Sequence, residues 1–128
     1  MKLRIRSNTI RLRLTQGEVQ RLATELKLRD ELRFGSGEGM CFTYGIELTN
    51  SHSDFGLRYE GGNITVLMPT SLGMGWHDSD EVGFSAEVDV GEGETISLLI
   101  EKDFVCLKPR ASEEDEGGFP HPESDGKC

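Results

Sequence analysis

Cysteine is sparse and scattered. Only Cys41, Cys106 and Cys128 occur in 128 residues, an odd number at wide spacings with no CxxC or CxxH pair. That pattern excludes a disulfide framework and an ordinary structural zinc site, and leaves reduced thiols of a cytosolic protein as the expectation. Long hydrophobic runs are missing as well. No stretch approaches the ~20 apolar residues that span a bilayer. The opening MKLRIRSNTIRLRL alternates charge with apolar side chains, whereas a secretory signal needs an unbroken apolar core after its basic start. A cytoplasmic location follows as the expectation. There is no phosphate-cradling loop, no GxSxG elbow and no dinucleotide fingerprint. Gly35, Gly37 and Gly39 are spaced evenly and lack a strand-to-helix setting. No cofactor or metal is therefore expected.

What the chain does carry is negative charge, −9 in total. Phosphate affinity comes from Lys and Arg, so this balance argues against non-specific nucleic-acid binding by the whole molecule. The charge is unevenly placed. Nine of the fourteen basic residues fall within residues 1–33 against four acids, giving that segment +5 and the remainder −14. Such asymmetry marks either a partner-binding face or two surfaces that meet in the fold.

Alternation dominates the rest. Leu3 and Ile5 are odd-numbered, while Ile10, Leu12 and Leu14 are even. A period of two cannot switch parity without a turn or bulge, and Ser7-Asn8 is the natural place for one. Thr15-Gln16-Gly17-Glu18 matches a capping box, and Val19, Leu22, Ala23 and Leu26 follow at helical spacing, which predicts one amphipathic helix over about 16–28. Residues 31–34 read as a short strand. Further alternations predict strands around 41–49, 55–59, 64–68, 82–90 and 95–106, with positive-φ turns at Gly61-Gly62 and at 91–94. Residues 70–77 read as a short helical turn. Beyond Pro109 the chain is acidic and almost without apolar residues.

Strands with one solvated face, no βαβ rhythm and no internal repeat predict an α+β fold. The expected architecture is a mainly antiparallel sheet, curled, barrel-like or a sandwich, with the one helix covering part of it. Residues 1–110 are expected to form a single globular domain, followed by an acidic tail at 111–128.

The last strand holds the main irregularity. Lys102 is in phase with Ile96, Leu98 and Ile100, and an inward ammonium is costly unless paired. A carboxylate partner is expected, with Asp78, Asp80 and the tail acids as candidates. The functional reading is a ligand-binding or catalytic lysine; the structural reading is a rim lysine that snorkels to water. Glu101 and Asp103 share one strand face, the spacing that paired-carboxylate chemistry needs. Trp76-His77-Asp78-Ser79-Asp80-Glu81 gathers an imidazole and three carboxylates but lacks the spacing of a calcium loop, so a polar capping loop is expected there. A basic stripe, Arg4, Arg6, Arg11 and Arg13, is a candidate partner surface without interleaved aromatics for base stacking.

Glu101-Lys102-Asp103-Phe104-Val105-Cys106-Leu107-Lys108-Pro109-Arg110, then Phe119-Pro120-His121-Pro122, together with the opening Lys2-Leu3-Arg4-Ile5-Arg6-Ser7-Asn8 and Ile10-Arg11-Leu12-Arg13-Leu14-Thr15, resemble a family of small bacterial proteins classed as a domain of unknown function. The resemblance implies a bacterial cytosolic protein and draws attention to residues 101–110. The candidate ligand-binding residues are accordingly Lys102, Asp103, Cys106 and Arg110. The first functional expectation is a non-enzymatic binding module for a protein or a small acidic ligand. The alternative is a small enzyme with its site around Lys102 and Asp103. A pocket beside Lys102 favours the enzyme, and a flat, satisfied salt bridge favours the module.

Overall fold

The parity switch at Ser7-Asn8 is a two-residue hairpin. It joins β1 (Lys2–Arg6) to β2 (Thr9–Leu14), with Arg6 opposite Thr9 and Ser7 at φ 48°. The computed structural model describes residues 1–104 and Phe119. Helix α1 (Gln16–Glu25) begins at the expected capping box: the Glu18 amide donates to Thr15 Oγ1 at 3.3 Å, and the Thr15 amide donates to Glu18 Oε1 at 2.8 Å. It ends sooner than the sequence spacing predicts. Leu26 turns left-handed at φ 66°, its N–H donates to the Leu22 carbonyl, and its own carbonyl accepts from the Leu48 amide at 2.8 Å. Residues 27–28, expected in the helix, instead open β3 (Lys27–Arg33), where Leu28 lies opposite Ile46 in the core.

The remaining elements are β4 (Cys41–Thr49), β5 (Gly56–Glu60), β6 (Asn63–Pro69), the short helix α2 (Thr70–Gly73), a 3-10 turn at Trp76–Asp78, β7 (Gly83–Gly91) and β8 (Glu94–Lys102). Gly61 and Gly62, at φ 52° and 83°, form the two-residue turn between β5 and β6, as their residue type demands.

The strands form two four-stranded sheets, ordered β1-β2-β8-β7 and β3-β4-β6-β5. Four of the six pairings are antiparallel, and the central pair of each sheet, β2 with β8 and β4 with β6, is parallel. The α+β class holds and antiparallel pairings predominate, but the expectation of a curled or barrel-like sheet with one helix is corrected: two separate sheets form, each with a parallel central pair, neither closes into a barrel, and two helices stand among the described residues. The physical reason is that alternation records which face of a strand is buried and carries no mark of its neighbour's direction. Each sheet is a pair of hairpins joined through their second strands, so the topology repeats although the sequence does not.

The inward rows of both sheets meet in one core. Leu12, Leu14, Leu98 and Ile100 come from the first sheet, and Ile46, Val66 and Met68 from the second. Val19 and Leu22 add the apolar stripe of α1. Trp76, 1% exposed, adds the largest buried side chain. Residues 105–118 and 120–128 lie outside the described residues, and with them the tail reading, except for Phe119.

The first residue is anchored to this frame. The Met1 ammonium lies 2.5 Å from Glu18 Oε2 and 3.3 Å from Asp30 Oδ2. Burial opposes its charge, but hydrogen bonds and attraction from Glu18 and Asp30 outweigh that, so its pKa rises above the ordinary 8.0. Burial likewise opposes the Glu18 carboxylate, while the ammonium and the Thr15 amide and hydroxyl bring its pKa below the ordinary 4.5. The ammonium's contribution is complete below 8.0 and is lost as pH rises through its folded value. The carboxylate's is complete above 4.5 and is lost as pH falls through its folded value. Melting temperature measured against pH should therefore hold between these limits. Glu18→Gln, which keeps an acceptor for the Thr15 amide, should flatten part of both limbs. Identical profiles for wild type and variant would refute the contribution.

Candidate functional site

Strand β8 delivers Lys102 to the end of the core. Ile96, Leu98 and Ile100 turn inward ahead of it, and Lys102 lies opposite Leu14 on β2. The chain is held on both sides there: the Lys102 amide donates to Val82 O at 2.9 Å and the Asp103 amide to Leu14 O at 2.8 Å. Across from this strand end, α1 starts at Gln16 and the 3-10 turn presents His77. Between them opens a cleft of ≈ 370 Å³. Leu14 and Val19 give it an apolar wall, Gln16 and Gln20 lie one helical turn apart along α1, and His77, Lys102, Asp103 and Phe104 complete it.

Neither Asp78 nor Asp80 pairs with the lysine, and the tail acids, the other candidates, lie outside the described residues. Its Nζ donates to the Ser79 carbonyl at 2.7 Å, and among the described residues no carboxylate is within salt-bridge distance. The side chain follows the core phase only along its stem and carries its ammonium out to the loop after the 3-10 turn, as a snorkelling lysine does. The neighbouring acid is the paired one: Asp103 receives Lys2 Nζ at 3.0 Å and Arg13 Nη2 at 3.2 Å.

Two arginines of the basic stripe are held by acids at the end of the first sheet. Arg11 Nε donates to Glu101 Oε1 at 2.6 Å across the parallel pair, with both side chains largely covered. Arg13 is held by Asp103. Arg4 and Arg6 stand exposed on edge strand β1. The basic N-terminal third and the acidic remainder thus meet within one sheet, and Glu101 and Asp103 answer arginines rather than each other.

In the 76–81 segment the Trp76 indole N–H donates to Glu81 O at 2.8 Å. The Ser79 hydroxyl donates to Trp76 O at 2.9 Å and accepts from the Glu81 amide at 3.2 Å. The loop is a hydrogen-bonded cap on a buried indole. His77 Nε2 lies 3.3 Å from Asp78 Oδ2. Among the described residues no group of three or more His, Cys, Asp or Glu side chains gathers to hold a metal ion.

Of the residues singled out from sequence, Lys102 and Asp103 line the cleft, and Arg4, Arg6, Arg11 and Arg13 lie on the outer face of the first sheet. Cys106 and Arg110 fall outside the described residues. Gln16, Gln20 and His77 were not foreseen as cleft residues. The i, i+4 spacing of the two glutamines beside the apolar stripe was the available signal, and nothing local tied His77 to Lys102.

The model of a family of unknown function, DUF7009, matches residues 1–123. The chain belongs to that family. No curated protein and no solved structure matches it. Among the described residues no helix is long and apolar enough to cross a membrane.

Proposed function

We propose that this family member is a small enzyme of the bacterial cytoplasm that acts on a small acidic molecule held in the cleft around Lys102 and Asp103. The observation that supports it is the cleft itself: Lys102, His77, Gln16 and Gln20 line one apolar-walled space of ≈ 370 Å³, a size typical of small-ligand sites. In this reading Lys102 anchors the acid group of the ligand. Gln16 and Gln20 orient it. His77 moves a proton, the task for which an imidazole is best suited near neutral pH. Asp103 acts as a positioning residue, because its bonds to Lys2 and Arg13 fix the strand end from which Lys102 projects. The stripe supports a protein-binding module less well, since Arg11 and Arg13 are turned to Glu101 and Asp103.

A panel of small carboxylic and phosphorylated acids, followed by the side-chain resonances of Lys102, Gln16 and Gln20, tests the proposal. One class should shift all three saturably. Lys102→Met should weaken that binding by ~10-fold or more, the worth of one charge-assisted hydrogen bond. His77→Ala should keep binding and lose turnover of the molecule so identified. If no acid at millimolar concentration moves these resonances, or if folded Lys102→Met binds unchanged, the proposal fails.

A further inference from the structure

The outer face of the second sheet carries an arrangement that the cleft does not use. Pairing places Arg29 of β3, Gly45 of β4, Thr65 of β6 and Arg58 of β5 in one row across all four strands. Their neighbours Leu28, Ile46, Val66 and Leu57 face the core, so this row faces outward. Strands lie 4.7–4.9 Å apart, and the row is therefore ~14 Å wide. Its two ends are the longest cationic side chains, and its two middle positions are among the smallest.

The glycine is required where it stands. A Cβ on Gly45 would sit 2.3 Å from the Leu28 carbonyl oxygen and 3.2 Å from the Arg29 Cα. Close approach of β3 thus leaves the middle of the row without a side chain, and Thr65 supplies a hydroxyl beside it with no partner among the described residues. The result is a cleft of ≈ 520 Å³ to which Arg21, Lys27, Glu25 and Glu47 also contribute.

Four cations and two carboxylates line that cleft, so its walls carry a net +2 in a chain of net −9. Arg21 pairs with Glu25 and Arg58 with Glu47, each at 2.8 Å. Lys27 and Arg29 make no ion pair among the described residues. Two arginines rooted at opposite ends of a hydroxyl-bearing floor suit a tetrahedral dianion, which accepts bidentate bonds from two directions, better than a planar carboxylate. We infer that this face is a second binding site, for a phosphate group, with Arg29 and Arg58 as its clamps, Thr65 as a floor donor and Lys27 as added charge. The cleft is larger than one phosphate, so the remainder of a small phosphomonoester fits beside it.

Titration of the full chain with inorganic phosphate, at constant ionic strength against chloride and followed by the amides of Gly45 and Thr65 and the Nε of Arg29 and Arg58, tests this. Saturable shifts confined to this face, with Lys102 and His77 unmoved, are expected. Arg29→Gln and Arg58→Gln should each weaken binding ~10-fold. Glu47→Gln, which removes the carboxylate competing for Arg58, should tighten it. Shifts that chloride reproduces, or affinities unchanged in both arginine variants, would overturn the site without touching the cleft around Lys102.

Discussion

Replacing Trp76 by alanine should cost about 3–5 kcal/mol, the largest single-residue effect in the core. The indole is 1% exposed, packs edge-on against Phe84 at 5.2 Å between ring centroids, and donates to the Glu81 carbonyl. It joins the 3-10 turn to β7 through Phe84. Native stability of a domain this size is about 5–15 kcal/mol, so the variant forfeits a large share of it. A melting point lowered by ~15 °C or more is the expected reading. Trp76→Phe keeps one ring against Phe84 while removing the indole donor and part of its volume, and should lose less than the alanine variant. Equal melting points for wild type and Trp76→Ala would mean that the turn does not pack as described. His77 rides on this turn, so the alanine variant should also loosen the cleft.

The second large effect is expected at Gly45. An alanine there brings its methyl against a backbone oxygen that belongs to a paired strand and cannot rotate away. Overpacking of this kind costs about 1–3 kcal/mol, and more where strand pairing must shift. Gly83, whose Cβ would lie 2.6 Å from the Ile100 carbonyl oxygen, should behave similarly. Gly73→Ala meets the Leu48 side chain rather than backbone and should be milder, and Gly17→Ala, with open space in the first turn of α1, should be neutral or slightly stabilising. Urea midpoints of the four variants give the order directly. A Gly45→Ala protein within ~0.5 kcal/mol of wild type, the range of an ordinary surface change, would refute the close approach.

The candidate site was legible in part. Lys102 stood out because it breaks an otherwise apolar phase, and the cleft does lie beside it. Its partner among the described residues is a backbone carbonyl at Ser79, not Asp78 or Asp80, and a carbonyl leaves no mark in residue types. Trp76 was read as one member of a polar cluster, although it is the cluster's buried centre. Charged neighbours dominate a reading by composition, while burial depends on what the rest of the chain places around the ring. The +5 and −14 segments were visible as charge. That Arg11 meets Glu101, and Arg13 meets Asp103, depends on β2 lying parallel to β8.

By itself the sequence determined what depends on atoms a few residues apart. It marked the hairpin at Ser7-Asn8 through the change of parity, the start of α1 through the Thr15–Glu18 exchange, the turn at Gly61-Gly62 through residues free to adopt positive φ, and the inward face of strands such as β2, β4 and β6 through alternation. Only the tertiary structure decided where α1 stops, because Leu28 gains more opposite Ile46 in β3 than on an exposed helical turn. It alone decided that two mixed sheets form, since inward and outward faces are equally well satisfied by parallel and antiparallel neighbours. It alone brought Gln16, His77 and Lys102 to one cleft, and Arg29 and Arg58 to one row, because contacts between distant segments follow from which strands pair, and strand pairing is settled by the packing of the whole core.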